Sequence, residues 1–211
     1  VFARLCENGA VPRRINPEQR DRAVVEAAWR VLTRDGLTAL SVRNVAAEAH
    51  LPPSSLRYTF PTQASVRERA VDTLVDRLRQ RVAAIPEPPG GPRWAHAALL
   101  ELLPLDDERR VEMEVTLALG AAAMTDPDLR SSFNSVNAVV REVCTSAAAA
   151  LGSEGKVAVD HLHALIDGLA FHLVRRTHGE STEWALKVLD AYLPGGARFV
   201  AGWSDAPDES R

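Results

Sequence analysis

The sequence predicts an all-α protein: an N-terminal three-helix domain containing a helix–turn–helix, joined by one long helix to a larger helical body. Three observations carry this. Apolar residues recur every three or four positions along the 211-residue chain, and no convincing strand or internal repeat is found. The run from Ser41 to Phe60, SVRNVAAEAHLPPSSLRYTF, reads as two short helices with a tight corner between them. The segment IPEPPGGP, Ile85 to Pro92, cannot remain helical and divides the chain.

Residues 1–15 are expected to be a flexible arm ending in Arg13-Arg14, disordered without DNA and in weak contact with phosphates or a minor groove when DNA is bound. Asn16-Pro17-Glu18-Gln19 starts the first helix, with Asn as cap and Pro in the first turn, and Gly36 ends it after Asp35. Val24, Ala27, Ala28, Val31 and Leu32 form its apolar stripe, and Trp29 is expected to be a packed core aromatic. Ser41 caps the next helix through the Asn44 N–H, and Val42, Val45, Ala46 and Ala49 give it one apolar face. Leu51 closes the corner. Pro52-Pro53 stops the first helix and suits the first turn of the second, which Leu56 and Phe60 anchor to the core.

The three-helix domain thus covers 16–62, and a connecting helix 63–84, capped by Thr62, carries Val66, Ala70, Leu74, Leu78 and Val82 at every fourth position. Residues 93–211 form the body. Its expected helices run from Trp94 to Leu103, from Asp106/Asp107 to about Met124, and from Asp126-Pro127-Asp128 to about Leu151. Two more run from Lys156 to Thr177 and, capped by Ser181/Thr182, to about Leu193.

Charge is unevenly placed. The whole chain carries −3, but residues 1–85 carry +5 and the remainder −8, a basic front on an acidic body. Cys6 and Cys144 make no disulfide framework and suit a reducing cytosol. No unbroken apolar run of about 18 residues occurs, so no membrane span is expected. The first residues also lack the order of a signal peptide.

A helix–turn–helix sets its second helix in a DNA major groove. The run AVVEAAWRVLTRDGLTALSVRNVAAEAHLPPSSLRYTFPTQASVRERAV resembles the TetR family of transcriptional regulators over its whole DNA-binding domain. The matching features are AA-x-x-x-L-x-x-x-G at Ala27–Gly36, the helix at Ser41–Ala49, and Leu56-x-x-x-Phe60. LR-x-x-F followed by P-T-Q resembles a subgroup with a betaine-regulator-type ligand domain. The resemblance implies a homodimer that binds a palindromic double-stranded DNA operator in the cytoplasm and a small-molecule effector in the body. It implies a repressor released by that effector, with no cofactor.

On this reading the DNA-facing residues are Ser41, Arg43, Pro53, Ser54, Ser55, Arg57, Tyr58, Thr59 and Gln63. An arginine such as Arg43 can hydrogen-bond guanine O6 and N7 together, worth about 1–3 kcal/mol of discrimination. Three positions depart from the family pattern. His50 replaces a glycine at the corner, Pro52 a capping Ser or Thr, and Gln63 a phosphate-meeting lysine. A protein of this fold that has lost operator binding is therefore an alternative.

Trp94, Met113, Leu117, Phe133, Asn137, Leu169 and His172 are the candidate effector lining. Leu162, Leu165, Ile166, Leu169 and Leu173, then Trp184, Val188 and Tyr192, give the last two helices apolar stripes for a four-helix dimer interface. A metal-enzyme alternative would use His161, His163 and Asp160 or Asp167. The two histidines point about 200° apart on a helix, however, and no HExxH, paired CxxC, phosphate loop or G-x-S-x-G elbow occurs.

Overall fold

The computed structural model describes residues 17–153 and 155–193. In order, these form α1 (Pro17–Asp35), a 3-10 turn (Leu37–Ala39), α2 (Val42–Glu48), α3 (Pro53–Thr59), α4 (Gln63–Ala83) and α5 (Pro92–Leu100). The body continues with α6 (Asp107–Ala123), α7 (Pro127–Ala150), α8 (Lys156–Val174) and α9 (Glu183–Tyr192), and no strand occurs among the described residues. The expected arm, the Asn16 cap and the stretch after Leu193 lie outside the described residues.

Helix ends follow from local hydrogen bonding. Thr62 and Ser65 form a reciprocal capping box at the start of α4. Asp106 caps α6 by accepting the Arg109 N–H, which with Arg109's charge holds its carboxyl below the usual range although burial pushes the other way. At the end of α7, Gly152 takes a left-handed φ of 71° and Ser153 N–H reaches back to the Ala148 carbonyl. Thr182 makes no side-chain cap on α9; Ser181 Oγ accepts the Glu183 N–H instead.

Several expectations need correction. The helix expected from Trp94 to Leu103 runs Pro92–Leu100. Leu162, Ile166, Leu169 and Leu173, expected at a dimer interface, are buried in the body core of the same chain. The helix drawn to Thr177 stops at Val174. Arg110, reaching across from α6, donates to the Leu173, Val174 and Arg176 carbonyls and so satisfies acceptors left open at the helix end. Trp29 packs against the core as expected, though it is not fully buried. It is half-buried between the two cores, with the Arg77 guanidinium over its ring.

The head core gathers α1, α2, α3 and the start of α4 around fully buried Leu32, Leu40, Val45 and Leu56. The body core is organised by α7, which touches α4, α5, α6 and α8. Helix α4 serves both: Val66 and Ala70 belong to the head, while Val71, Leu74, Val75 and Leu78 belong to the body. From α6, Val115 enters the head core, so α4 and α6 both couple the two units.

By length and composition α8 passes for a membrane span, at 19 residues and mean hydropathy 1.3, which the sequence reading did not anticipate. It nevertheless carries Lys156, Asp160 and Asp167, and buries Leu162, Ile166, Leu169 and Leu173 in the body core. Those buried side chains mark it as a bundle helix.

Candidate nucleic-acid interface and ligand cavity

The corner between α2 and α3 is built by backbone geometry that the sequence makes unusual. His50 adopts a left-handed φ of 55°, its N–H donates to the Ala47 carbonyl, and the Leu51 N–H donates to Ala46. This is a Schellman termination with histidine at the position that glycine normally takes. Pro52 stands at the N-cap of α3 without any side-chain cap, and Pro53 opens the helix.

Both helices are fastened from below. Ser41 Oγ accepts the Asn44 N–H at 3.2 Å, and Asn44 Nδ2 donates to the Ala39 carbonyl at 2.7 Å. Glu48, at the end of α2, accepts from Arg30 at 2.7 Å and Arg34 at 2.9 Å on α1. Those two guanidiniums, Arg30 first, hold its carboxylate below the usual range. Arg20 of α1 donates to the Ser55 carbonyl and so ties α3 to the head. Beneath, Leu56 and Phe60 are buried, so the opposite side of α3 is set by packing.

On the outward side Arg43, Pro53, Ser54, Arg57 and Gln63 are exposed, and Ser41 and Ser55 are half-buried. The side chains of Tyr58 and Thr59 lie outside the described part. Gln63 donates through Nε2 to the Leu40 carbonyl at 3.2 Å, an internal bond that a lysine reaching for phosphate would not make. Ser41 is likewise engaged as a cap. The exposed set offers two guanidiniums and a hydroxyl, the groups that hydrogen-bond phosphate oxygens and base edges.

In the body an apolar cavity of about 730 Å³ opens between α6, α7 and α8. That is in the range of small-molecule sites, roughly 300–1,000 Å³. Met113, Leu117, Phe133 and Asn137 line it, together with Thr116, Gly120, Asp167 and Phe171. Trp94 and Leu169 point into the body core instead, and His172 is exposed and edge-on to Phe171 and Trp184. Gly120 leaves room for a ring: a Cβ there would sit 2.9 Å from Phe133 Cε2. Burial at the apolar wall raises the Asp167 carboxyl, and His163 at 3.6 Å partly offsets this.

Behind this cavity lies a charged layer that the sequence reading missed. Glu112 is buried, with Oε2 2.8 Å from Arg81 and Oε1 3.7 Å from Arg77. Glu101 pairs with both Arg81 and Arg109. The signal was present, because Glu112 falls three residues before Val115 on the stripe continued by Leu119 and Ala123. Among the described residues no group of three or more His, Cys, Asp or Glu is placed to hold a metal ion. His163 instead faces Asp167, while His161 is exposed.

Residues 92–196 match the family described as BetI-type transcriptional repressor, C-terminal. The chain is 29% identical over 168 residues to the HTH-type transcriptional regulator PksA of Bacillus subtilis strain 168, covering 77% of this chain and 82% of that protein. Its fold is similar to a transcriptional regulator from Rhodococcus sp. Rha1, with TM-score 0.67 and 26% identity over 88% of this chain and 98% of that one. It is also similar to the multidrug binding protein EbrR complexed with ethidium, with TM-score 0.64 and 26% identity over 83% and 99%.

Proposed function

Because the chain belongs to the TetR family of transcriptional regulators, we propose that it is a homodimeric repressor that a small molecule releases from a palindromic operator. The observation that carries this is the exposed set Arg43, Pro53, Ser54 and Arg57, presented by two helices whose inner sides are locked by Val45, Ala46, Leu56 and Phe60. With α3 in the major groove, Arg57 and Ser54 meet bases or phosphates, and Arg43 reaches in from α2.

The effector site is the cavity between α6, α7 and α8, and a relative that holds ethidium supports a small organic molecule there. Dimerisation runs through α8 and α9. Phe171, Val188 and Tyr192 are each more than two-fifths exposed, which is high for large apolar side chains and is relieved if a second copy covers them. The dimer acts in the cytoplasm on chromosomal DNA. Its effector fits the conformation in which the heads are spread, and so draws the population away from the DNA-bound one.

Selection from random duplexes tests this reading. An enriched palindrome, bound by a dimer, supports it. Recovery of no enriched sequence would leave a ligand-binding protein of the same fold, consistent with the substitutions at His50, Pro52 and Gln63.

A further inference from the structure

The open cavity shares part of its wall with a smaller space. Leu102, Met113, Thr116, Val136 and Val140 line it on one side and a second, inner chamber of about 50 Å³ on the other. That inner space holds about three water-sized groups, enough for a hydroxyl or a primary amide but not for a ring. Arg81, Arg109, Glu101 and Glu112 line it on its polar side.

Within this chamber Glu112 is only 5% exposed, and its Oε1 makes no hydrogen bond to any described residue. Arg81 holds the other oxygen. A buried carboxylate oxygen without a donor is costly, and a donor supplied from outside is bound strongly in return. The two guanidiniums and two carboxylates lining the chamber balance, and Arg77 stands 3.7 Å from the same Oε1. A further positive charge is therefore disfavoured, and a neutral donor fits.

Resting on the ligand-responsive reading above, we propose that the effector is an elongated, neutral amphiphile. Its apolar body fills the outer cavity beside Phe133 and Phe171, and its hydroxyl or amide donates to Glu112 Oε1 in the inner chamber. Glu112 is then the residue that selects the effector's polar end. Arg77 is the neighbour that senses its arrival, since the same guanidinium covers Trp29 of the head.

The test uses the full-length protein and four probes sharing a phenylbutyl body: 4-phenylbutan-1-ol, its methyl ether, 4-phenylbutylamine and 4-phenylbutanoate. Calorimetry reads their affinities without DNA. The alcohol is expected to bind roughly tenfold or more tightly than the ether and more tightly than either charged probe. In Glu112→Met, where Arg81 keeps Glu101 as its partner, the alcohol and ether should bind alike. Equal affinities in the wild type, tightest binding of the amine, failure of every probe to bind, or an alcohol preference that survives Glu112→Met would each overturn the proposal. Should Glu112→Met not fold, the wild-type ratio alone decides. Binding is read without operator, so failure here leaves the DNA reading standing, and failure to select a palindrome leaves this result standing.

Discussion

The guanidinium of Arg77 lies 4.4 Å from the centre of the Trp29 ring, which joins the long helix of the body to the first helix of the head. The same side chain pairs with Glu108 and approaches Glu112, so one residue touches the head, the surface of α6 and the buried charge layer. Cation–π contacts of this kind are worth about 0.5–2 kcal/mol, enough to bias a hinge without fixing it. A double-mutant cycle of Arg77→Ala and Trp29→Leu is expected to show a coupling in that range by denaturant unfolding. Strictly additive losses would show that ring and guanidinium do not act together.

His50 occupies a left-handed position that glycine fills without strain. The side chain is exposed, so its removal sacrifices little packing. Substituting glycine should raise unfolding stability by about 1 kcal/mol, after the entropy that glycine adds to the unfolded chain is subtracted. A loss of stability in His50→Gly would mean that the imidazole contributes more than its backbone strain takes away.

Gly120 and Phe133 meet at the cavity wall. A methyl group at 120 would fall 2.9 Å from Phe133 Cε2, on a half-buried ring that lines the cavity and would have to shift. Gly120→Ala should therefore leave the circular dichroism spectrum intact while weakening 4-phenylbutan-1-ol binding several-fold. Unchanged affinity would place the ligand elsewhere.

Asp167 gives a pH dependence with a definite sign. Burial raises its carboxyl above 3.8, with the nearby His163 working in the opposite direction. The folded chain then holds this proton more readily than the unfolded chain does, so the charged form is a penalty that sets in as pH rises through the raised value. About two-thirds of the side chain still faces the cavity mouth, and solvent there keeps the penalty small. Asp167→Asn should raise the thermal midpoint slightly at pH 7, with the gain fading as pH falls through the raised value and absent below about 3.8. A gain that grows on acidification would contradict this.

Much of the architecture was legible because helix ends are written in local chemistry. The Ser41, Thr62 and Asp106 caps, the Gly152 stop and the proline at the start of α3 each act within a few residues, and each lies where the spacing put it. Long-range partners were not legible. Arg110 caps the end of α8 from more than 60 residues away, and nothing in the sequence around Val174 announces it. Trp29 looked like an ordinary core residue because its stripe is apolar, and the cation above it arrives from α4. At the cavity, spacing separated inward from outward residues but could not say which inward residues meet empty space. Met113, Leu117, Phe133 and Asn137 line the cavity, while Trp94 and Leu169 meet other side chains.

The affinity of Arg57→Ala for an operator selected by the wild-type protein bears most directly on the role of α3. Arg57 is exposed and its neighbour Leu56 carries the packing, so the variant should fold and dimerise as the wild type does. At fixed salt, binding weakened by roughly tenfold or more is the expected result, the loss of one base or phosphate contact. Wild-type affinity in Arg57→Ala would contradict the assignment of α3 as the helix that reads DNA.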